Sequence, residues 1–133
     1  MHEWSLAYAV IGTTLDYCRK KRAKKASVSI IVGELQQIEM EIFTFALDEI
    51  ISAHPECAVS YRTRVEKAGF KCRACGKEWQ FSKKGEKLSR ESAEFVHFVP
   101  DVIHAFTRCP ACGSPDFEII KGRGVSIESI KVN

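Results

Sequence analysis

Residues 72–76 read Cys-Arg-Ala-Cys-Gly, and residues 109–113 read Cys-Pro-Ala-Cys-Gly, so the same five-residue pattern occurs twice. Each Cys-x-x-Cys-Gly turn can aim two sulfurs at one ion, and two such turns complete a tetrahedral site. Zinc prefers thiolate ligands, and four sulfurs leave no position for a reactive water. The pattern therefore predicts a structural zinc ion. Its four ligands would be Cys72, Cys75, Cys109 and Cys112.

The six cysteines also allow other interpretations. Two reactive disulfides, or an iron site of the same geometry, stay open for the four paired cysteines. Zinc is favoured because paired Cys-x-x-Cys spacings in a reducing compartment more often indicate metal binding. Cys18 and Cys57 have no partner at such a spacing, and we interpret both as packing or incidental residues.

The spacer between the two cysteine pairs is long. Thirty-three residues lie between Cys75 and Cys109, whereas compact four-cysteine modules have roughly 15–20. Additional structure is therefore expected within it: a short strand over residues 78–81 and a helical turn over residues 100–106. We predict that residues 70–116 form a separate zinc-binding module.

The residues before this module carry the hydrophobic periods of helices and strands. Apolar side chains recur every three or four positions from near the N-terminus to about Lys25, and again over residues 38–52, which predicts two amphipathic helices. Alternation of apolar and polar residues predicts strands over residues 27–32 and 58–65. Each helix therefore precedes a strand.

The strand pattern resumes after the module. It begins at Phe117, breaks at residues 122–124 and continues to Val132, and a slip in the apolar phase predicts a bend near Glu128 and Ser129. A C-terminal strand must pair with a sheet, and the two earlier strands provide one. We predict an α+β fold in which two amphipathic helices pack on a three-stranded sheet, with the zinc module inserted. Residues 1–69 and 117–133 would form this discontinuous main domain.

Composition excludes some classes of protein. The chain has 133 residues, 45% of them apolar, which is enough to bury one main core. Its formal charge of +3 is too balanced to indicate a polyanionic partner by itself. No apolar stretch is long enough to span a membrane, and no export signal precedes the first helix. We expect a soluble cytoplasmic protein with no membrane partner.

The N-terminal residues Met1-His2-Glu3 form a second candidate metal site. The terminal amine, the deprotonated amide nitrogen of His2 and its imidazole can occupy three corners of a square plane. Nickel(II) and copper(II) favour this geometry, and zinc gains little from it. Glu3 adds a carboxylate within reach.

Several motifs together resemble the HypA family of hydrogenase nickel-incorporation proteins. They are Met1-His2-Glu3 with Ser5-Leu6-Ala7, Val32-Gly33-Glu34-Leu35, the two cysteine pairs and Gly122-Arg123-Gly124. The resemblance implies a nickel metallochaperone, not an enzyme, with Met1, His2 and Glu3 in the nickel site and the four cysteines on zinc. It also implies two partners: an accessory maturation GTPase and the large subunit of a [NiFe]-hydrogenase. The sequence leaves open a homodimer and whether the client is hydrogenase or urease.

The long spacer brings two further histidines into the module. His97 lies in a His-Phe-Val-Pro stretch like one in longer members of the family, so we count it as a further candidate nickel ligand. His104 is the second candidate. The alternative for His97 is a hydrogen-bonded core histidine among apolar neighbours.

Two other functions are less well matched by the sequence. A nucleic-acid-binding zinc ribbon could use the basic run from Arg19 to Lys25, but that run ends a helix whose other face is apolar. Trp79 and Phe81 also lack the interleaved basic residues of a base-stacking surface. An enzyme is disfavoured because a closed four-sulfur site cannot act as a Lewis acid and no phosphate-binding glycine loop or triad signature is present.

Overall fold

The computed structural model describes residues 2–80, 103–104 and 107–133. Its helices are α1 (Glu3–Lys20) and α2 (Met40–Ser52), with a short 3₁₀ helix at Glu34–Gln36. Its strands are β1 (Lys25–Gly33), β2 (Ala58–Glu66), β3 (Gly69–Cys72), β4 (Glu78–Gln80), β5 (Phe117–Lys121) and β6 (Val125–Val132). Within the described part of the chain, no helix is long and apolar enough to cross a membrane.

The first compact unit contains both helices and a three-stranded sheet. It comprises the residues up to 31, together with 38–64 and 125–133. The strand order is β2-β1-β6, and the main chains of Lys25 and Asn133 hydrogen-bond to each other, so β6 runs antiparallel to β1. Ala58 N–H donates to Lys24 O at the start of both β1 and β2, so these strands are parallel and α2 forms the crossover between them. The predicted α+β fold is confirmed.

The helical and strand periods account for the core of this unit. The buried apolar side chains of β1 occupy alternate positions, as the sequence pattern indicated, although Ser29 between them is also buried. The buried side chains of the helices recur on one face of each. At the predicted bend in β6, Ser129 and Ile130 are both half-buried and interrupt the alternation. The buried residues include Ala26, Val28 and Ile30 of β1, Ala7, Ile11 and Leu15 of α1, and Phe43, Leu47 and Ile50 of α2.

Helix α1 ends five residues earlier than predicted. Arg22 adopts a left-handed conformation with φ of 50°, and Ala23 N–H donates to Cys18 O at 2.9 Å. This arrangement closes the last turn and redirects the chain into β1. The basic residues beyond Lys20 therefore belong to the turn and to the first residue of the strand.

The interpretation of Cys18 and Cys57 as packing residues was wrong, because the two are joined by a disulfide. Cys18 lies in the last turn of α1, and Cys57 lies in the loop immediately before β2. Both are buried, at 1% and 4% exposure. Their separation of 39 residues gives no local signal, since only the packing of α1 beside this loop brings the sulfurs together.

The second compact unit comprises residues 32–37 and 65–124. Its sheet has the order β4-β3-β5, with both neighbours antiparallel to β3. Strand β5 thus pairs here, and the C-terminal strand pattern divides at Gly122 to Gly124 between two sheets. The boundaries predicted for the zinc module, residues 70 and 116, stay a prediction. The buried core consists of Leu35, Ala68, Phe70, Ile103 and Phe117, with Trp79 and Ile119 packed against it.

Three short segments of this second unit meet closely. Gly33 N–H donates to Gly124 O at 2.7 Å, and Leu35 N–H donates to Gly122 O at 3.0 Å. Two carboxylates complete the meeting point: Glu34 accepts from Ala68 N–H at 2.8 Å, and Glu66 accepts from Gly122 N–H at 3.1 Å. These bonds satisfy backbone donors that no strand partner reaches.

Candidate metal centres

The structure brings together the four cysteines predicted to bind zinc. Their sulfurs all lie within 4.8 Å of one another. Cys72 Sγ is 3.6 Å from Cys112 Sγ, and Cys75 Sγ is 3.5 Å from Cys109 Sγ. Four sulfurs at about 2.3 Å from one zinc ion would lie about 3.8 Å apart at the corners of a tetrahedron. The donor set and its spacing therefore fit a zinc ion, although its identity as zinc stays a prediction.

Two similar turns position these sulfurs. Gly76 N–H donates to Cys72 O at 3.0 Å, and Gly113 N–H donates to Cys109 O at 2.8 Å. Both glycines have left-handed φ values, 78° and 76°, which glycine adopts without steric cost. Cys75 N–H also points at Cys72 Sγ, at 3.4 Å. The glycine after each pair thus allows the turn that aims two sulfurs inward.

Backbone donors divide the four thiols into two types. Hydrogen bonding from Cys75 N–H, opposed by desolvation and aided by Ala74 N–H, lowers the pKa of Cys72. Desolvation raises the pKa of Cys109, but N–H groups of Cys112 and Ala111 outweigh it and bring that pKa to about 6. Cys109 is therefore available to a cation as a thiolate at neutral pH, and Cys72 ionises more readily than an ordinary thiol.

The other two thiols keep their protons. The Lys77 N–H lowers the pKa of Cys75, but the neighbouring Cys109 sulfur and desolvation outweigh it, and the net shift is upward. Ser114 N–H acts likewise on Cys112, but its neighbouring sulfurs, Cys72 first, raise that pKa to about 12. A cation that binds all four sulfurs must displace these two protons, so its binding should release protons.

The candidate nickel residues lie at the start of α1. His2 is the N-cap residue, and its side chain is exposed. Glu3 is buried, with 4% exposure, and its carboxylate accepts a hydrogen bond of 3.2 Å from Glu39 N–H at the start of α2. Met1 and His97 lie outside the described residues. Within residues 2–80, 103–104 and 107–133, the four cysteines form the only metal-binding group of three or more side chains.

The environment of Glu3 favours its charged form. Desolvation raises its pKa, but hydrogen bonds, among them those from the N–H groups of Glu3 and Glu39, outweigh this and lower it. Glu3 is therefore an anion at the end of the chain that carries His2. An anion here also suits the positive end of the α1 dipole.

His104 and Arg19 have structural contacts. The Nδ1 atom of His104 lies 3.0 Å from Pro115 O, and its ring stacks on Phe117 with centroids 3.9 Å apart. Arg19, the first residue of the basic run considered for nucleic acid, pairs with Asp16 at 3.3 Å and Glu56 at 3.5 Å. Helix and loop carboxylates thus already compensate part of that charge.

Comparison with known proteins shows a close relationship over nearly the whole chain. Residues 1–132 match the profile of the family described as hydrogenase/urease nickel incorporation, metallochaperone, HypA. The hydrogenase maturation factor HypA of Pyrococcus horikoshii is 44% identical over 133 residues, covering 99% of this chain and 96% of that protein. The protein of the same name from Pyrococcus abyssi is 43% identical over the same coverage.

Solved structures share the fold. The solution structure of the Ni metallochaperone HypA from Helicobacter pylori has a TM-score of 0.57 at 17% identity, covering 99% of this chain and 97% of that one. A second solution structure, of HypA protein, has a TM-score of 0.64 at 17% identity, with coverage of 100% and 97%. From the profile match and the sequence relatives, this chain belongs to the HypA family of hydrogenase/urease nickel-incorporation metallochaperones.

Proposed function

We propose that this chain binds Ni(II) at its N-terminus in the cytoplasm and delivers it to the active site of a [NiFe]-hydrogenase during maturation. The match of residues 1–132 to a family of nickel-incorporation metallochaperones is the observation that carries the proposal. The curated relatives are hydrogenase maturation factors, which favours hydrogenase over urease as the client. A partner GTPase would supply nucleotide hydrolysis, since the sequence has no phosphate-binding glycine loop.

The proposed nickel ligands are the N-terminal amine of Met1, the amide nitrogen and imidazole of His2, and one further donor. Support comes from the position of His2, which precedes the first helical turn and has an exposed side chain. Glu3 and His97 are the candidates for the further donor. For Glu3 to serve, one of its carboxylate oxygens would bind nickel through a lone pair that no hydrogen bond uses, so the bond from Glu39 N–H need not break.

A site of few ligands at a chain terminus suits delivery. Nickel held by one short segment can be passed on by stepwise exchange, in which a client ligand replaces one donor at a time. A closed site of four sulfurs gives up its ion less readily. We therefore assign cargo to the N-terminal donors and a structural role to the cysteines.

Zinc is the proposed resident ion of the four-cysteine site. Cys72 and Cys75 would hold it from one turn, and Cys109 and Cys112 from the other. When bound, it would neutralise the sulfurs and cross-link the two turns without activating water. The residues 65–124 around it should depend on it for folding.

Nickel titration by calorimetry tests the N-terminal site. His2→Ala, and separately a variant with residues added before Met1, should each weaken nickel binding at least tenfold, because each removes a nitrogen donor. His54→Ala is the matched control, since His54 is paired with Glu56 away from α1's first turn. Unchanged affinity in both test variants would refute the ligand set.

Acidification gives a second test of the same ligands. Imidazole and amide nitrogens bind nickel only when deprotonated. Nickel affinity should therefore fall as the pH drops from about 7.5 to 5.5, through the range of histidine. An affinity that stays constant across this range would exclude His2 as a ligand.

Zinc content tests the other site. Cys72→Ser should lose the zinc equivalent measured by elemental analysis, whereas Cys57→Ser, a cysteine outside the site, should retain it. A full equivalent of zinc in Cys72→Ser would contradict the assignment. Nickel binding to the N-terminus should be measured on the same samples, so that failure of one site is not mistaken for failure of the other.

A further inference from the structure

Among the described residues, strand β2 has an unpaired outer edge. It lies at the end of the order β2-β1-β6, so β1 is its neighbour on one side and no described strand lies on the other. At nine residues it is a long edge strand, and its sequence Ala-Val-Ser-Tyr-Arg-Thr-Arg-Val-Glu contains neither proline nor lysine. Proteins usually protect such an edge with proline or lysine, with a β-bulge, or by covering it with another segment, because an exposed edge can pair with a further strand.

The backbone groups of this edge can be identified. Ala58 N–H donates to Lys24 O on the β1 side. Because successive residues of a strand direct their N–H and C=O groups to opposite edges, Val59, Tyr61 and Thr63 direct theirs outward. These three residues therefore offer regularly spaced N–H donors to an extended chain.

The side chains of β2 differ between the two faces of the sheet. Tyr61 Oη donates to Asp48 of α2 at 2.8 Å, so this residue and its alternates face the helices. Arg62 and Arg64 lie on the opposite face. Arg62 Nε donates to Ser29 Oγ at 2.9 Å, and Arg64 reaches Glu128 at 2.8 Å.

The face of the sheet that carries Arg62 and Arg64, which we call the open face, is basic and concave. A groove of about 320 Å³ is lined by residues of β1, β2 and β6, including Ser29, Arg62, Arg64 and Glu128. Of the described residues that line it, Glu128 is the single acidic one. Among the described residues, Arg64 forms an ion pair with Glu128, whereas Arg62 forms no ion pair with a carboxylate.

We propose that the outer edge of β2 binds an extended acidic segment of a partner protein by β-strand addition. The added strand would accept hydrogen bonds from Val59, Tyr61 and Thr63, and its alternate side chains would lie beside the open face. Arg62 and Arg64 are two residues apart, about 6.6 Å along the strand. A segment with acidic residues at every second position therefore places one carboxylate beside each arginine.

Two other occupants are less well matched. A nucleic acid could contact the arginines, but it has no backbone amides to pair with the strand edge. A second copy of this chain, paired through β2 about Arg62, would place the two Arg62 side chains opposite each other, which is destabilising. The proposal does not depend on nickel binding, because it rests on β2 and the face beside it.

The test uses the full chain and a labelled nine-residue peptide of alternating glutamate and threonine. Fluorescence anisotropy should show saturable binding that weakens with salt, and a peptide of alternating lysine and threonine should bind at least about tenfold more weakly. Hydrogen exchange followed by NMR should slow at the amides of Val59, Tyr61 and Thr63. The amide of Arg62, already directed towards β1, should change little.

Matched variants separate the contribution of the strand edge to peptide binding from that of the arginine charges. Thr63→Pro removes one outward N–H and should abolish saturable binding, whereas Thr63→Val keeps the N–H and should bind normally. Arg62→Ala combined with Arg64→Ala should weaken binding roughly threefold to tenfold. Lys20→Ala combined with Lys67→Ala removes the same charge elsewhere and should leave binding unchanged.

Specific results would overturn the proposal. These are no saturable binding of the acidic peptide, equal loss in the two double variants, or slowed exchange at amides outside β2. Binding of a DNA oligonucleotide that competes with the peptide and ignores Thr63→Pro would indicate a nucleic-acid surface instead. Concentration-dependent dimerisation abolished by Thr63→Pro would indicate a second copy as the occupant. If Thr63→Pro does not fold, the arginine variants and the exchange pattern decide.

Discussion

Reduction of the Cys18–Cys57 disulfide should lower the free energy of unfolding by about 4 kcal/mol. The cross-link closes a loop with a sequence separation of 39 residues, which contains β1 and α2. In the unfolded chain this closure removes conformations, and the entropy removed grows with the logarithm of loop length. If the whole chain unfolds in one step, the midpoint of thermal unfolding should fall by roughly 10–15 °C.

The assay is urea unfolding of zinc-replete protein, with and without a phosphine reductant. Reduction of the wild type keeps both side chains, so any loss of stability comes from the cross-link and not from packing. A thiol assay on the denatured, chelated protein should count two more thiols after reduction. The variant Cys18→Ala with Cys57→Ala should be insensitive to the reductant.

One result would refute this reasoning. In that result, the reduced wild type is shown to have two additional thiols, yet its free energy of unfolding lies within about 1 kcal/mol of that of the oxidised protein. The loop-closure entropy would then be compensated elsewhere, for example by residual structure in the unfolded chain. A loss in the double variant alone would point to packing, because both cysteines are buried.

Four further changes have defined outcomes. Gly33→Ala should lower the free energy of unfolding measured in urea by about 3 kcal/mol, because the new Cβ would overlap the Gly122 carbonyl. Gly12→Ala should raise it by about 1 kcal/mol, because Gly12 has open space around it in α1 and alanine favours the helix. Desolvation and the bond to Asp48 raise the pKa of Tyr61 from 10.0 to about 12. The stability this gives is present below pH 10 and lost as pH rises through 12, so Tyr61→Phe should reduce the alkaline loss seen in pH-dependent unfolding. Removing zinc with a chelator should abolish hydrogen-exchange protection in β3 and β5 while that of α1 persists.

Periodic patterns allowed most of the fold to be predicted from the sequence. The alternation in β1 and β2 and the helical period of α2 are local, and each element satisfies them with its own core-facing side chains. The two cysteine turns could also be predicted from the sequence, because Gly76 and Gly113 stand where each turn requires a positive φ. These signals lie within a few residues of one another.

What could not be predicted depends on contacts between distant residues. Cys18 and Cys57 meet because the end of α1 packs beside the loop before β2, and no pattern in either segment indicates this. Strand β5 has the same alternation as β6, and only its pairing with β3 separates the two. The end of α1 depends on Arg22 adopting a conformation that arginine seldom takes.

Leu35 determines how this protein can be divided into fragments. It contributes to the core around Phe70 and Phe117, yet it lies in a segment far from them in sequence. A recombinant piece beginning at residue 65 would lack this side chain and expose the apolar surface it covers. Such a piece should need a synthetic peptide spanning residues 32–37 to become well ordered, and the affinity between the two would report how much the core depends on that single leucine.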